Sequence, residues 1–106
     1  MVISPLSKPP YYAVVFTSIR MPDESGYSAM AVRMEELARD QPGYLGIDSA
    51  RSEVGITVSY WRDLENVRAW KQQWEHLRAQ EHGRERWYQA YTVRVCRVEY
   101  EYDFTK

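Results

Sequence analysis

The sequence has 106 residues, of which 44% are apolar and 27% are charged, and its net charge is -1. This length accommodates one domain, and the composition is typical of a folded globular protein rather than a disordered one. The 14 basic and 15 acidic residues balance. They form no basic surface of the kind that binds nucleic acid or an anionic membrane, so neither partner is expected.

The single cysteine, Cys96, cannot form an intramolecular disulfide, and no zinc-type spacing of Cys and His is present. Residues 1–10 carry three prolines without periodicity and are interpreted as a flexible leader, which makes 11–106 the single domain. The leader lacks the pattern of a signal peptide, and no segment is apolar over the length of a bilayer. We therefore expect a cytoplasmic protein without a metal site.

The first half of the chain predicts one strand, one helix and a strand pair. Residues 11–20 are rich in aromatic and β-branched residues, which predicts a strand with two apolar faces. A helix start is predicted at 22–24, and apolar residues then recur at helical spacing until Gln41-Pro42-Gly43. Two strands, 44–51 and 54–61, follow, and the second alternates apolar with small polar residues, as hairpin strands do.

The second half predicts a helix and a long strand. Asp63 is a good N-cap for this helix and Gly83 a good C-cap. The apolar stripe of the helix consists of Leu64, Val67, Trp70, Trp74 and Leu77. Residues 87–102 alternate again, and a strand of this length suggests that its far end pairs outside its own sheet. Cys96 within it is predicted to be a small buried side chain.

The predicted order is β-α-β-β-α-β, which is the split βαβ pattern of an α+β, ferredoxin-like fold with an antiparallel sheet. The two helices lie on one face of such a sheet. The other face carries rings and aliphatic side chains, which would form an exposed apolar patch. A second copy of the same sheet is the simplest way to bury them, so we expect a homodimer of the dimeric α/β-barrel kind.

The stretch YWRDLENVRAWKQQWEHLRAQEHGRERWYQAYTVRVCRVEYEY at 60–102 resembles the antibiotic biosynthesis monooxygenase family, and in particular a poorly characterised bacterial branch of it. The resemblance extends over residues 11–102. It implies a cofactor-independent monooxygenase acting on a small aromatic substrate. Two alternatives stay open, a haem-binding or haem-degrading monooxygenase and a non-catalytic dimer that binds a small ligand, because fold alone does not decide function.

The resemblance to the haem-degrading branch implies an Asn near the end of the first strand, a Trp on the second helix and a His that ligates iron. Aligned on Trp61-Arg62, the Trp position matches Trp70. The Asn position falls near Thr17 and Ser18, and the His position falls two residues before His82. One position of three matches, so haem is kept as an alternative ligand and no cofactor is expected.

Electron-rich aromatic molecules react with dioxygen once they are deprotonated, so the protein need only bind, desolvate and stabilise the anion. The candidate substrate-binding residues are side chains that stack on a ring or donate a hydrogen bond: Tyr12, Thr17, Trp70, Trp74, His82, Tyr88 and Tyr91. The competing interpretation of Trp70 and Trp74 is core packing, and that of His82 is stabilisation of a helix end. No residue is predicted to be catalytic.

Overall fold

The computed structural model describes residues 3–22, 27–80 and 87–106, with the backbone alone at 77–80. The elements follow one another in the predicted order: β1 Tyr11–Arg20, α1 Tyr27–Arg39, β2 Tyr44–Arg51, β3 Gly55–Trp61, α2 Leu64–Gln80 and β4 Tyr88–Val98. The strands form one antiparallel sheet in the order β2-β3-β1-β4. This is the predicted α+β, ferredoxin-like fold. Neither helix has the length and apolarity required to span a membrane over the residues described.

The start of α2 agrees with the sequence pattern. The carboxylate of Asp63 accepts a hydrogen bond from the backbone N–H of Asn66 at 2.8 Å, which satisfies one of the unpaired donors of the first turn. The predicted C-cap of this helix, Gly83, lies outside the described residues, as do Asp23 and Glu24 of the predicted start of α1.

The turn between α1 and β2 requires a glycine. Gly43 has a φ of 79°, a conformation that residues with a side chain rarely adopt. A Cβ at this position would also collide with the side chain of Asn66. The Gly43 carbonyl accepts a hydrogen bond from the N–H of Arg62 at 2.8 Å, so the turn is attached to the segment that leads into α2.

The core lies where the apolar stripes of the helices meet the sheet. Trp61 at the end of β3 is fully buried, and Trp70 of α2 stacks on it with ring centroids 5.7 Å apart. Ala38 and Val67 complete this cluster. A second, smaller cluster is formed by Met30 and Trp87. Both predicted helix stripes therefore face the sheet.

The predicted last strand is too long. It ends at Val98, which pairs with Tyr11, the first residue of β1, so β1 offers no further pairing partner. Residues 99–106 have no regular secondary structure. The prediction of a buried Cys96 is also wrong: its side chain is exposed, because β4 is an edge strand and Cys96 lies on the face that the helices leave open.

The alternating residues of β3 separate two environments. Thr57 and Ser59 face the helices, whereas Ile56 and Val58 face the opposite side. On this open face, 46% of the surface of Ile56 is exposed to solvent, as is 42% of the surface of Ile19 in β1. The polar half of the strand thus lies under the helices, and the apolar half is directed away from them.

Residues that precede β1 contact both the sheet and the C-terminal segment. The backbone N–H of Ser4 donates to the carboxylate of Asp48 in β2 at 2.9 Å. The N–H groups of Ser7 and Lys8 donate to the two carboxylate oxygens of Glu101, at 3.1 and 2.5 Å. The two ends of the described chain are therefore joined by hydrogen bonds.

Candidate functional site

A cavity of about 180 Å³ lies between the two helices and the helix-facing side of the sheet. Its wall is formed by side chains of the helices and of the start of β4: Tyr27, Met30, Ala31, Met34, Glu35, Ala38, Trp70, Trp74, Trp87 and Tyr88. Its floor is formed by strand residues: Phe16, Ile47, Ser49, Arg51, Thr57 and Ser59. A buried cavity of roughly 150 Å³ accommodates benzene, so this volume suits a single aromatic ring.

The aromatic part of the lining is held by ring-to-ring contacts. Phe16 makes edge-to-face contacts with Trp74 and Tyr88, at centroid distances of 5.3 and 5.4 Å. It also stacks on Tyr91 at 5.4 Å with ring planes 29° apart. Contacts of this kind stabilise fixed ring orientations. The rings that would contact a ligand are therefore positioned before it binds.

The floor carries hydroxyl groups under this aromatic wall. The Ser49 and Thr57 hydroxyls lie 2.9 Å apart across β2 and β3. The Ser59 hydroxyl accepts a hydrogen bond from the indole N–H of Trp61 at 2.9 Å. Because a hydroxyl is both donor and acceptor, Ser59 keeps its own proton for donation. The floor can thus donate hydrogen bonds to a polar ligand atom.

Arg51, the last residue of β2, contributes the positive charge of the site. Its guanidinium donates a hydrogen bond to the hydroxyl of Ser18, which is buried in β1. Gly55 is the cross-strand partner of Arg51, and a Cβ there would collide with the guanidinium. The absence of a side chain at Gly55 therefore allows Arg51 to lie against the sheet. Ser49, Arg51 and Ala31 are exposed lining residues and mark the cavity mouth.

One carboxylate also lines the cavity. Glu35 of α1 is half-buried and forms an ion pair with Arg39, one helical turn further on, at 2.6 Å. Carboxylates in such positions serve as proton acceptors in many active sites. In the part of the chain that the structure describes, no group of three or more His, Cys, Asp or Glu side chains is placed to hold a metal ion.

The structure brings several of the predicted substrate-binding residues to this cavity and separates others from it. Trp70, Trp74 and Tyr88 line it directly. Tyr91 is not a lining residue, but its ring packs on Phe16 and Trp74, which are. Tyr12 packs against the core cluster that contains Trp70.

Thr17 lies on the opposite face of the sheet, since its neighbours Phe16 and Ser18 point towards the helices. It pairs with Ile56 and Thr92 and does not meet the cavity. His82 lies outside the described residues. Among the residues described, the arrangement of Asn, Trp and His implied for haem degradation is thus represented by Trp70 alone.

The cavity is also small for haem. Sites for drug-sized ligands typically measure roughly 300–1,000 Å³, and haem is larger than many such ligands, whereas this cavity measures about 180 Å³. The residues described therefore do not fit haem.

The polar floor and the carboxylate of the wall were not predicted from the sequence. The missed residues are Ser18, Glu35, Ser49, Arg51, Thr57 and Ser59. For Thr57 and Ser59 the signal was present in β3, where small polar residues recur at every second position, and Ser49 pairs with Thr57 across the hairpin. In paired antiparallel strands such residues share one face, so a polar surface on one side of the β2–β3 hairpin could have been predicted.

A relative with substantial sequence identity is the uncharacterised protein YqjZ of Bacillus subtilis. It is 46% identical over 99 residues, which cover 92% of this chain and 87% of YqjZ. No protein-family model matches the sequence.

Solved structures with the same fold include two oxygenase-type proteins. A candidate antibiotic biosynthesis monooxygenase of Nitrosomonas europaea superimposes with a TM-score of 0.67 at 14% identity, over 88% of this chain and 95% of that one. SnoaB of Streptomyces nogalater, a cofactor-independent oxygenase, superimposes with a TM-score of 0.66 at 13% identity, over 92% of this chain and 100% of its own. At these identities the similarity establishes the fold that the sequence resemblance predicted.

Proposed function

The chain belongs to the family of Bacillus subtilis YqjZ, and we propose that it is a cofactor-independent monooxygenase acting on a small aromatic substrate. The observation that supports this most strongly is the composition of the cavity, in which hydroxyl groups lie beneath an aromatic wall. These hydroxyls take part in hydrogen bonds within the sheet and, as groups that both donate and accept, retain capacity for a polar atom of a ligand.

Binding is expected to place the ring of the substrate against Phe16, Trp74 and Tyr88, the preoriented side chains of the lining. A phenolic oxygen then reaches the hydroxyls of the floor, including that of Ser59. Glu35, as the carboxylate of the wall, is the group assigned to accept the phenolic proton. The phenolate would be stabilised by the hydroxyl donors of the floor, which the sheet holds in place before the substrate binds.

The chemistry requires only dioxygen as the second reactant. Oxidation of a phenol at a ring C–H position to a quinone consumes one O2, leaves one oxygen atom as the new carbonyl and releases the other as water. The four electrons that O2 accepts come from the substrate, so no external reductant is needed. The protein's part is to bind the substrate, remove its proton and exclude water from the anion.

The assembly proposed for this activity is a homodimer joined through the open faces of the two sheets. Exposed Ile19 and Ile56 on that face support this arrangement, since contiguous apolar patches usually mark an interaction surface. The cavity lies on the other face, between sheet and helices. Each subunit would therefore carry a separate site.

Oxygen uptake with labelled dioxygen tests the proposal. The purified protein is incubated with phenol, catechol and hydroquinone under 18O2, with heat-treated protein as the blank. We expect uptake above the blank for at least one compound and one labelled oxygen atom in its product. Saturable binding without uptake would instead favour the non-catalytic ligand-binding dimer. Failure to bind any of the three would reject the aromatic site itself.

A further inference from the structure

We propose that the substrate of this cavity is an aromatic acid, and that Arg51 binds its carboxylate at the cavity mouth. This inference rests on the function proposed above, because it specifies the class of aromatic molecule that enters the same site. In this inference Arg51 determines specificity. It contacts the end of the substrate that is remote from the buried Ser59 hydroxyl.

The orientation of Arg51 supports this role. A guanidinium has five N–H donors in a planar fork, and the hydrogen bond to Ser18 directs one of its terminal nitrogens into the sheet. Arg51 is an exposed residue of the cavity lining, and its other donors form no hydrogen bond with a described residue. A planar carboxylate matches the geometry of such a fork, and the pair forms charge-assisted hydrogen bonds.

The charges around the site leave this position to a ligand. Across the described ranges of the chain, no carboxylate lies within 4 Å of the Arg51 guanidinium. Glu35 also lines the cavity, but its charge is balanced by Arg39. Among the described lining residues, the charge of Arg51 is therefore the one that no carboxylate balances, and this favours an anionic ligand.

The shape of the site limits the size of this anion. Gly55 leaves the space in which the guanidinium lies flat against the hairpin, and the cavity of about 180 Å³ holds one ring. A carboxyl group attached to that ring lies in the ring plane and extends it towards the mouth. The ligand class that fits both ends is therefore a hydroxybenzoate or a compound of similar size.

The test compares phenol with 3- and 4-hydroxybenzoate, which have the same ring and hydroxyl and differ by the carboxylate, ionised at pH 7. Dissociation constants are measured by isothermal titration calorimetry for the wild type and for Arg51→Gln, Gly55→Ala and Arg33→Gln. Arg33 is an exposed arginine of α1 outside the cavity lining, so Arg33→Gln is the matched control for loss of one positive charge.

We expect at least one hydroxybenzoate to bind the wild type and the Arg33→Gln control about tenfold more tightly than phenol, as charge-assisted hydrogen bonds permit. Both Arg51→Gln and Gly55→Ala should reduce this preference, the ratio of the two dissociation constants, to about twofold or less. The far-ultraviolet circular dichroism spectrum of each variant shows separately whether it is folded.

Two different results would contradict the inference, and they separate a failure of the Arg51 assignment from a failure of the proposed aromatic site. Equal binding of phenol and both acids by the wild type, or a preference that survives Arg51→Gln, contradicts the assignment of Arg51 alone and leaves the aromatic site intact. Binding of none of the three compounds contradicts the aromatic site as well, and the inference fails with it.

Discussion

The indole rings of Trp61 and Trp70 stack with their centroids 5.7 Å apart and their planes inclined by 22°. Trp61 is fully buried, and Trp70 also borders the cavity. This pair therefore joins α2 to β3 and forms part of the site. The two interpretations of Trp70 that the sequence left open, core residue and ligand contact, are both consistent with its position.

This relationship predicts different roles for the two tryptophans of α2 that line the cavity. Trp70→Ala should lower the free energy of unfolding by about 3–5 kcal/mol, as loss of a large buried ring does. Trp74 is only half-buried, so Trp74→Ala should cost clearly less and mainly weaken ligand binding. Urea unfolding of both variants measures this. Equal losses of stability would contradict the distinction.

Tyr60 provides a prediction at alkaline pH. Burial, together with the hydrogen bond that its phenol donates to Asp48 at 2.8 Å and the charge of that carboxylate, raises the pKa of Tyr60 to about 12. The ordinary pKa of a tyrosine is 10.0. Between pH 10.0 and about pH 12, the folded state therefore retains a proton that the unfolded state has lost. The stabilisation is therefore complete below pH 10 and is lost as the pH rises to about 12.

Comparison with Tyr60→Phe isolates this contribution. The wild type should exceed the variant in free energy of unfolding by about 1 kcal/mol at pH 8, after allowance for solvent screening of a partly exposed pair. The difference should disappear near pH 12. A difference that is independent of pH over this range would show that the Tyr60–Asp48 hydrogen bond does not control the titration.

Glu101 provides a prediction at acidic pH. Desolvation opposes its ionisation, but the hydrogen bonds from Ser7, Tyr11 and Lys8 and the charge of Arg62 outweigh this effect and lower the pKa of Glu101 below 4.5. A carboxyl group with a lowered pKa stabilises the fold above its ordinary pKa. This stabilisation is lost as the pH falls through the lowered value.

Glu101→Gln should therefore release the N-terminal segment at neutral pH, because an amide has one acceptor oxygen in place of two. Amide hydrogen exchange at Ser7 and Lys8 should become faster in this variant at pH 7. The wild type should show the same loss of protection only at acidic pH, once the intrinsic pH dependence of exchange is subtracted. Glu99→Gln, two residues away and exposed, is the matched control and should leave both amides protected.

The secondary structure followed from local signals in the sequence. Asp63 marked the start of α2, and Gly43 marked the turn before β2, because each satisfies a local requirement of the backbone. The end of β4 was not predictable in this way. It is set by the start of β1 at Tyr11, the partner of Val98, and strand pairing of this kind depends on residues far apart in the chain.

The cavity was only partly predictable, for a related reason. The alternation in β3 shows that Thr57 and Ser59 share one face and Ile56 and Val58 the other, but a period of two does not tell which face meets the helices. The aromatic candidates Trp70, Trp74 and Tyr88 were found because rings are rare and conspicuous. Arg51 was not found, because its position depends on Ser18 and Gly55 in two other strands.

The proposed dimer can be tested with a residue that is exposed in a single chain. Ile56 lies on the open face with 46% of its surface exposed, so Ile56→Glu should not unfold the subunit. It should convert a dimer into a monomer, because a charge in an apolar interface is unfavourable. Val32→Glu, at an exposed valine on α1, is the matched control. Sedimentation equilibrium that finds both variants dimeric would contradict an interface through the open face.

The central claim is that an aromatic substrate is oxygenated inside the cavity between the helices and the sheet. Ala31 lines this cavity, whereas its neighbour Val32 does not and is 57% exposed. Ala31→Trp should therefore fill the cavity mouth, and Val32→Trp should leave it open. The most direct measurement is oxygen uptake with the best substrate by the wild type and these two variants. We expect uptake by the wild type and Val32→Trp, and less than about a tenth of it by folded Ala31→Trp; equal uptake by all three would contradict the claim.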